Sequence, residues 1–414
     1  MDKKLKVFCY MDSPSVSTGF GTVARNILMG LHETGRYDIV VAGINYWGFP
    51  HNHPFPIYPV GINNNNDPYG REFVSRMLFE EEFDILFTLQ DSFILEFMGG
   101  LIDKLRASKP RMKWITYFPI DGQPKASWLR AMNKADIVVT YTEWGKQECL
   151  RVLPAMSDLR VIPHGVNTRD FFPVPKGENK EFKQAYFREA AGKFIVLNVN
   201  RNQQRKDIPR SMVAFKKFHD VHPDSFYYIH CAVHDHGWEL DKVAETLGLV
   251  INRDVGFPVN FGANQGFPID IVNRIYNAAD VLISTTTGEG WGLAQVEAMA
   301  CCKPVISPDN TSCTEIVGGR GYLVGSGPKH SSNLVTILSH DNEVLRSLTD
   351  IDGLVDAMCS VYDNPTQASK VALEGYKWVT SSLRWDKHVV PMWLEIFAEA
   401  ESKTQHAGVE TLEL

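Results

Sequence analysis

The chain has 414 residues with 44% hydrophobic and 22% charged side chains, more than one core normally covers, so two domains are expected. Lys and Arg stand at 19 against 19 Asp and Glu over residues 1–170 and at 23 against 30 over 171–414, so the net charge of −7 lies in the second half. This argues against a general binder of nucleic acid or anionic membrane, while the neutral first half leaves local basic patches free to act.

The start, Met1-Asp2-Lys3-Lys4-Leu5-Lys6, leads into no signal-peptide pattern, and no apolar run reaches transmembrane length, so a cytoplasmic protein is expected. Lys6 to Tyr10 reads as a strand and about Thr22 to Glu33 as a helix. Between them, Gly19 and Gly21 would let backbone approach a diphosphate at the helix N-terminus, or simply make a tight turn. After a second strand, Asp38 to Ile44, the prolines from Trp47 to Pro59 and the run Asn63 to Asn66 mark a long surface excursion. His51 and His53 lack a third ligand nearby and read as loop residues.

Phe73 to Phe79 reads as a helix and Asp84 to Leu89 as a strand, with Asp91 at its carboxyl end as a possible acceptor contact. The next helix is expected to carry Lys104, Arg106, Lys109, Arg111 and Lys113 as a solvated face before the strand Trp114 to Phe118. Asp121 follows in a proline-fixed turn at the sheet's carboxyl edge, a position suited to chemistry. Ala135 to Thr140 is a further strand, and Phe171 to Gly192 reads as linker with a short helix.

Phe194 to Val199 opens a second alternation. Arg201 at that strand's end and Lys206 five residues on would set two cations at the mouth of the sheet, suited to a diphosphate. Ser225 to Cys231 leads to His230, His234, Asp235 and His236, a cluster read as polar loop in preference to a metal site. Val259 to Gly262 is expected as a strand. Val281 to Ser307 then spells strand, glycine-rich turn, helix, strand. Glu289 sits in the turn and Glu297 in an apolar helix, where a carboxylate needs donors such as sugar hydroxyls; the alternative is a solvated Glu289 and a Glu297 paired with Arg or Lys. Residues 326–349 look like an insertion. Ser381 onward reads as a final helix to about Ala400. The seven cysteines are an odd, scattered set and read as reduced core residues.

The run Gly288-Glu289-Gly290-Trp291-Gly292-Leu293 followed by Glu297 resembles the Glu-x7-Glu signature of glycosyltransferase family 4. The Gly19 loop, Arg201 with Lys206, and the turn from Val161 to Asn167 stand in that family's order. The resemblance implies an α/β chain of GT-B architecture: two facing Rossmann-like domains with a C-terminal helix crossing back to the first. The domains would be 1–170 for the acceptor, 171–192 as linker, 193–380 for the donor, 381–400 as crossover helix and 401–414 as flexible tail.

The implied activity is retaining transfer of a hexosyl or pentosyl group from a nucleotide diphosphate sugar, with no permanent cofactor and no protein-held metal. Residue by residue, the resemblance gives Glu289 the donor sugar and Glu297 the ribose, with Gly290, Trp291, Gly292 and Leu293 lining the donor. Gly19, Gly21, Arg201 and Lys206 would meet the diphosphate, and the loop up to Ile269 would lie near the base. Asp121 stands where the family often has His and would steady the cationic sugar. The acceptor would be a saccharide or small molecule. A hydroxymethylated base in DNA is the alternative, motivated by the Lys104–Lys113 cations and the Trp47–Pro68 loop. Two readings outside this chemistry are a sugar phosphorylase, for which no motif nominates a pyridoxal lysine, and a nucleotide-sugar-binding protein without turnover.

Overall fold

The computed structural model describes residues 4–259, 261–262 and 266–409, with side chains as far as 404. It divides into two compact units, one of residues 1–165 together with 385–414 and the other of 166–384.

The first unit alternates β1 (Leu5–Asp12), α1 (Gly19–Glu33), β2 (Tyr37–Ile44), β3 (Ile57–Pro59), α2 (Arg71–Glu80), β4 (Ile85–Leu89), α3 (Met98–Ser108), β5 (Lys113–Phe118), α4 (Ala126–Met132), β6 (Ile137–Thr140), α5 (Glu143–Val152) and β7 (Arg160–Val161). Its seven strands run parallel in the order β3-β2-β1-β4-β5-β6-β7. The sheet is covered on both faces, which is why β1 reads Val-Phe-Cys-Tyr-Met without alternation and β4 is buried throughout.

The second unit contains α6 (Lys176–Phe187), β8 (Phe194–Asn198), α7 (Ile208–Val221), β9 (Ser225–Ile229), α8 (Leu240–Thr246), β10 (Val255–Gly256), α9 (Ile269–Ala278), β11 (Val281–Ile283), α10 (Leu293–Ala300), β12 (Val305–Pro308), α11 (Thr311–Val317) and β13 (Tyr322–Val324). The hairpin β14 (Thr336–Leu338) and β15 (Leu345–Ser347) follows, then α12 (Ile351–Asp363) and α13 (Pro365–Ser382). Six strands make a parallel sheet, β10-β9-β8-β11-β12-β13. The chain then returns to the first unit through α14 (Val390–Val409). Trp393 and Phe397 are fully buried there against Phe87, and Trp393 also meets Tyr117 with ring centroids 4.7 Å apart.

Several expectations change. The strand of this region is Val255–Gly256; Val259 lies in a turn, Phe261 and Gly262 are outside any strand, and Asn260 lies outside the described residues. Residues 263–265 of the loop expected near a base also lie outside them. The insertion is a two-stranded antiparallel ribbon. The segment Phe171 to Gly192, read as linker with a short helix, has that helix as α6 and belongs to the second unit. Helical structure continues past Ala400 to Val409, and residues 410–414 of the expected tail lie outside the described residues. All seven cysteines are free thiols, five of them buried.

The five-cation helix face does not form, because α3 ends at Ser108. Lys109 is its buried C-cap, bonded to the Glu81 carbonyl, while Lys113 lies on β5 within 4.0 Å of Asp136, a carboxylate that Arg106 also approaches to 3.6 Å. With these three engaged by backbone and carboxylate partners, only Lys104 and Arg111 of the five stand exposed without one among the described residues, too few to make a stripe for a polyanion.

Gly21 has a packing reason of its own. Thr18 caps α1 by accepting the Gly21 N–H at 3.0 Å, and a Cβ on Gly21 would come within 2.5 Å of the Val16 carbonyl and 2.8 Å of that of Ser13. Both neighbours are backbone and cannot rotate away. Gly21→Ala is expected to destabilise the protein by about 1–3 kcal/mol; an unchanged melting temperature by calorimetry would show that the 13–17 turn gives way freely.

Candidate active site

In parallel α/β sheets ligands sit at the carboxyl ends of the strands, and in the second unit the loops after β8, β9 and β11 converge there by specific bonds. Thr285 Oγ1 donates to the Asp207 carbonyl at 2.8 Å, and Thr287 donates its N–H to the Arg205 carbonyl at 2.7 Å. One turn of 3₁₀ helix at Gln204–Lys206 thereby lies against the glycine turn after β11.

That lacing brings Lys206 and Glu289 into a buried ion pair, with Arg205 Nη1 3.2 Å from the same carboxylate and 2.9 Å from the Gly288 carbonyl. Burial alone would raise the Glu289 pKa, yet the two cations hold it at about 2, while burial lowers that of Lys206. The turn is fixed from its other side, where Glu289 N–H donates to Thr311 Oγ1 at 3.0 Å and Ser312 Oγ donates to the Glu289 and Trp291 carbonyls. Trp291 is buried beneath it. Gly292 has φ +111°, and a Cβ there would lie 1.9 Å from Gln295 Oε1, so the entry to α10 demands glycine. Leu293 begins the helix with no side-chain cap.

Glu297, one turn into α10, has a different environment. Its carboxylate accepts from Tyr276 Oη at 2.7 Å, and burial pushes its pKa up to about 7 against the lowering effect of that bond. It forms no ion pair among the described residues, so the alternative of an Arg or Lys partner does not hold. The alternative of a solvated Glu289 fails equally, since that residue is buried.

Arg201 follows β8 and grips Asp235 by two bonds, Nε to Oδ2 at 2.7 Å and Nη2 to Oδ1 at 3.2 Å. The histidines nearby diverge: His230 is buried against Phe261 and Phe267, His234 faces Asp241 and His236 faces Asp235. The described residues hold no group of three metal-ligating side chains.

In the first unit, Gly19 opens α1 and Asp121 is half-buried in the loop after β5. Asp12, buried at the end of β1, ties three loops together by accepting from Thr18 Oγ1 at 2.6 Å, Gln90 Nε2 at 3.1 Å and Asn45 Nδ2 at 3.2 Å. Asp91 lies beside Gln90 and donates its backbone N–H to Gln90 Oε1 at 2.9 Å.

Sequence reasoning missed Arg205, Asp235 and Tyr276 as site residues. Arg205 adjoins Lys206, and only the 3₁₀ turn directs both to one carboxylate. Asp235 was visible solely as part of a histidine-rich loop. Tyr276 carries no signal apart from its place on the buried face of α9.

Residues 179–351 match the family model described as glycosyl transferases group 1. A sucrose-phosphate synthase from Thermosynechococcus elongatus superposes over 97% of this chain and all of its own at TM-score 0.73 and 17% identity. HepE from Anabaena, solved in complex with UDP-glucose, covers 95% of this chain and all of its own at TM-score 0.68 and 16% identity. These likenesses show a fold of GT-B class with two Rossmann-like units, and the family-model match, with the glycosyltransferases among the curated relatives, makes the chain a glycosyltransferase. Among curated proteins, alpha-maltose-1-phosphate synthase of Mycolicibacterium smegmatis is 23% identical over 285 residues, which is 68% of each chain.

The buried Lys206–Glu289 pair yields a direct test. Glu289→Ala strands two cations and is expected to cost about 3–5 kcal/mol, whereas replacing Glu289 and Lys206 together by Leu and Met should recover much of it. Because the Glu289 pKa is lowered in the fold, its share of stability is present above the ordinary carboxylate range and is lost as pH falls toward 2. Denaturant titration of both variants at neutral pH checks the first expectation; equal losses in the two would contradict it.

Proposed function

We propose that the protein moves a glycosyl group from a nucleoside diphosphate sugar to an acceptor hydroxyl with retention at the anomeric carbon, as in family 4. The observation that carries this reading is the environment of the two glutamates. Glu289 is kept ionised by Lys206 and Arg205 at the glycine turn, and Glu297 stands one turn into α10 with Tyr276 as its bonded partner. The UDP-glucose bound by HepE supports the donor class.

In this reading Glu297 accepts from the ribose hydroxyls, and Glu289 orients the sugar. Arg201 and Lys206 counter the charge that grows on the diphosphate as the bond from the anomeric carbon to phosphate oxygen breaks. Gly290, Trp291, Gly292 and Leu293 line the donor, and the uncapped start of α10 adds backbone donors. The acceptor hydroxyl forms the new bond to the anomeric carbon and gives its proton to the departing phosphate oxygen. Asp121 and the Gly19–Gly21 segment belong to this reading by their positions in the first unit. The acceptor is a saccharide or small metabolite; three of the five cations that motivated DNA, Arg106, Lys109 and Lys113, are engaged within the first unit. A panel of nucleotide sugars, screened first by thermal shift and then by release of free nucleotide, tests the class.

Two outcomes are expected. A ribose hydroxyl donates to the carboxylate form of Glu297, so nucleotide affinity should rise as pH passes upward through about 7. In Glu297→Gln that rise should vanish and affinity at pH 8 should fall by about 1.5–3 kcal/mol per lost charge-assisted bond. Calorimetry with the free nucleoside diphosphate from pH 6 to 8 decides, and an unaltered pH slope in the variant sinks the ribose role.

Arg201→Ala and Lys206→Ala should lower turnover more than donor affinity, because the charge they meet is greatest in the transition state. Steady-state kinetics beside equilibrium binding separates the two; equal losses would reduce both residues to ground-state binding groups.

A further inference from the structure

Arg201 is an unusually constrained cation. Its Nε and Nη2 are held by both oxygens of Asp235, whose side chain is 4% exposed, while the Arg201 side chain is 31% exposed. Nη1 makes no hydrogen bond among the described residues, so the outer edge of the fork is open.

The pair is built by more than its own two bonds. Asn202, fully buried next to Arg201, donates through Nδ2 to the Val233 carbonyl at 3.0 Å and the Trp238 carbonyl at 2.7 Å, and accepts the Trp238 N–H at 3.0 Å. It thus staples the loop after β8 to the loop after β9, on either side of Asp235. Gly237 is required for this approach, since a Cβ there would lie 2.1 Å from Asn202 Oδ1. A buried side chain with four bonds, the fourth from Nδ2 to the Ala232 carbonyl at 3.4 Å, sets the register of two loops, and the register sets the guanidinium.

We propose that Asp235 is a positioning residue for the transfer reaction: it locks the Arg201 guanidinium so that its free edge faces the departing diphosphate. This rests on the reading of Arg201 given above. The physical advantage is that an arginine already fixed by a bidentate carboxylate loses little side-chain freedom when the anion arrives. Its charge is also in place before the bond breaks. Asp235 itself touches no substrate. A competing possibility is that Asp235 occupies Arg201 as a surrogate anion and must be displaced, and it makes the opposite prediction.

The test uses the full chain and whichever of UDP-glucose, UDP-N-acetylglucosamine, GDP-mannose and ADP-glucose releases nucleotide fastest, with water or a saccharide as acceptor. Asp235→Ala and the nearly isosteric Asp235→Asn, Arg201→Ala, and the Arg201→Ala/Asp235→Ala double variant are compared, each first shown to melt cooperatively. Asp235→Ala should lower kcat roughly ten- to a hundredfold with a smaller change in donor KM, and Asp235→Asn, which keeps one acceptor oxygen, should restore part of the rate. Removing Asp235 from Arg201→Ala should cost nothing further, since the fork it holds is gone.

Losses that multiply in the double variant, or tighter donor binding with undiminished kcat in Asp235→Asn, overturn the proposal while leaving Arg201 in its role. A fully active Arg201→Ala overturns the proposal together with the underlying assignment of Arg201.

Discussion

The second unit depends on one buried ion cluster. Glu289, Lys206 and Arg205 bring two positive charges and one negative into a region from which water is largely excluded, and such charges are tolerable only when their geometry is enforced. The enforcement comes from polar side chains that follow β11 and open α11. Thr285 and Thr287 bind the Asp207 and Arg205 carbonyls, and Thr311 and Ser312 bind the turn from the far side. These hydroxyls are short and β-branched or small, so little rotamer entropy is lost in fixing them. The result is a glycine turn whose carboxylate is fixed before any ligand arrives.

Charge balance around this turn is close to even. Arg201, Arg205 and Lys206 face Asp235 and Glu289, so a set that looks strongly basic in the linear sequence carries roughly one net positive charge in space. A bare cluster of three cations would repel itself and pay for burial; the carboxylates remove that cost while leaving donors at the outer edges. Specific geometry then does what raw field strength cannot, since a screened surface charge attracts any anion but a fixed fork suits a phosphate.

Much of this was legible beforehand, and the parts that were not share a cause. The alternation of strands and helices, the glycine turn and the paired glutamates are local patterns, written in a few consecutive residues such as Val281 to Glu297. What the glutamates touch is not local. Glu289 meets Lys206, 83 positions earlier, and Glu297 meets Tyr276 on a different helix. Asp235 lies 34 positions from Arg201, and a carboxylate between two histidines suggests a metal as readily as an arginine partner. The strand expected at Val259 to Gly262 failed for a related reason. Val255–Gly256 has only two residues to offer the edge of the sheet, and so short an edge leaves no periodicity to read.

The cations from Lys104 to Lys113 carry the same lesson in the other direction. Spaced over ten positions they look like one helical face, but a helix that ends at Ser108 sends Lys109 inward and puts Lys113 on a strand. Each then finds a partner, the Glu81 carbonyl for one and Asp136 for the other. A helix terminus therefore changes function as well as shape: five more residues of α3 would have carried all five cations on one helix, and the stop at Ser108 instead gives Lys109 and Lys113 partners within the first unit. Composition could not distinguish the two outcomes, because the same side chains are present in either.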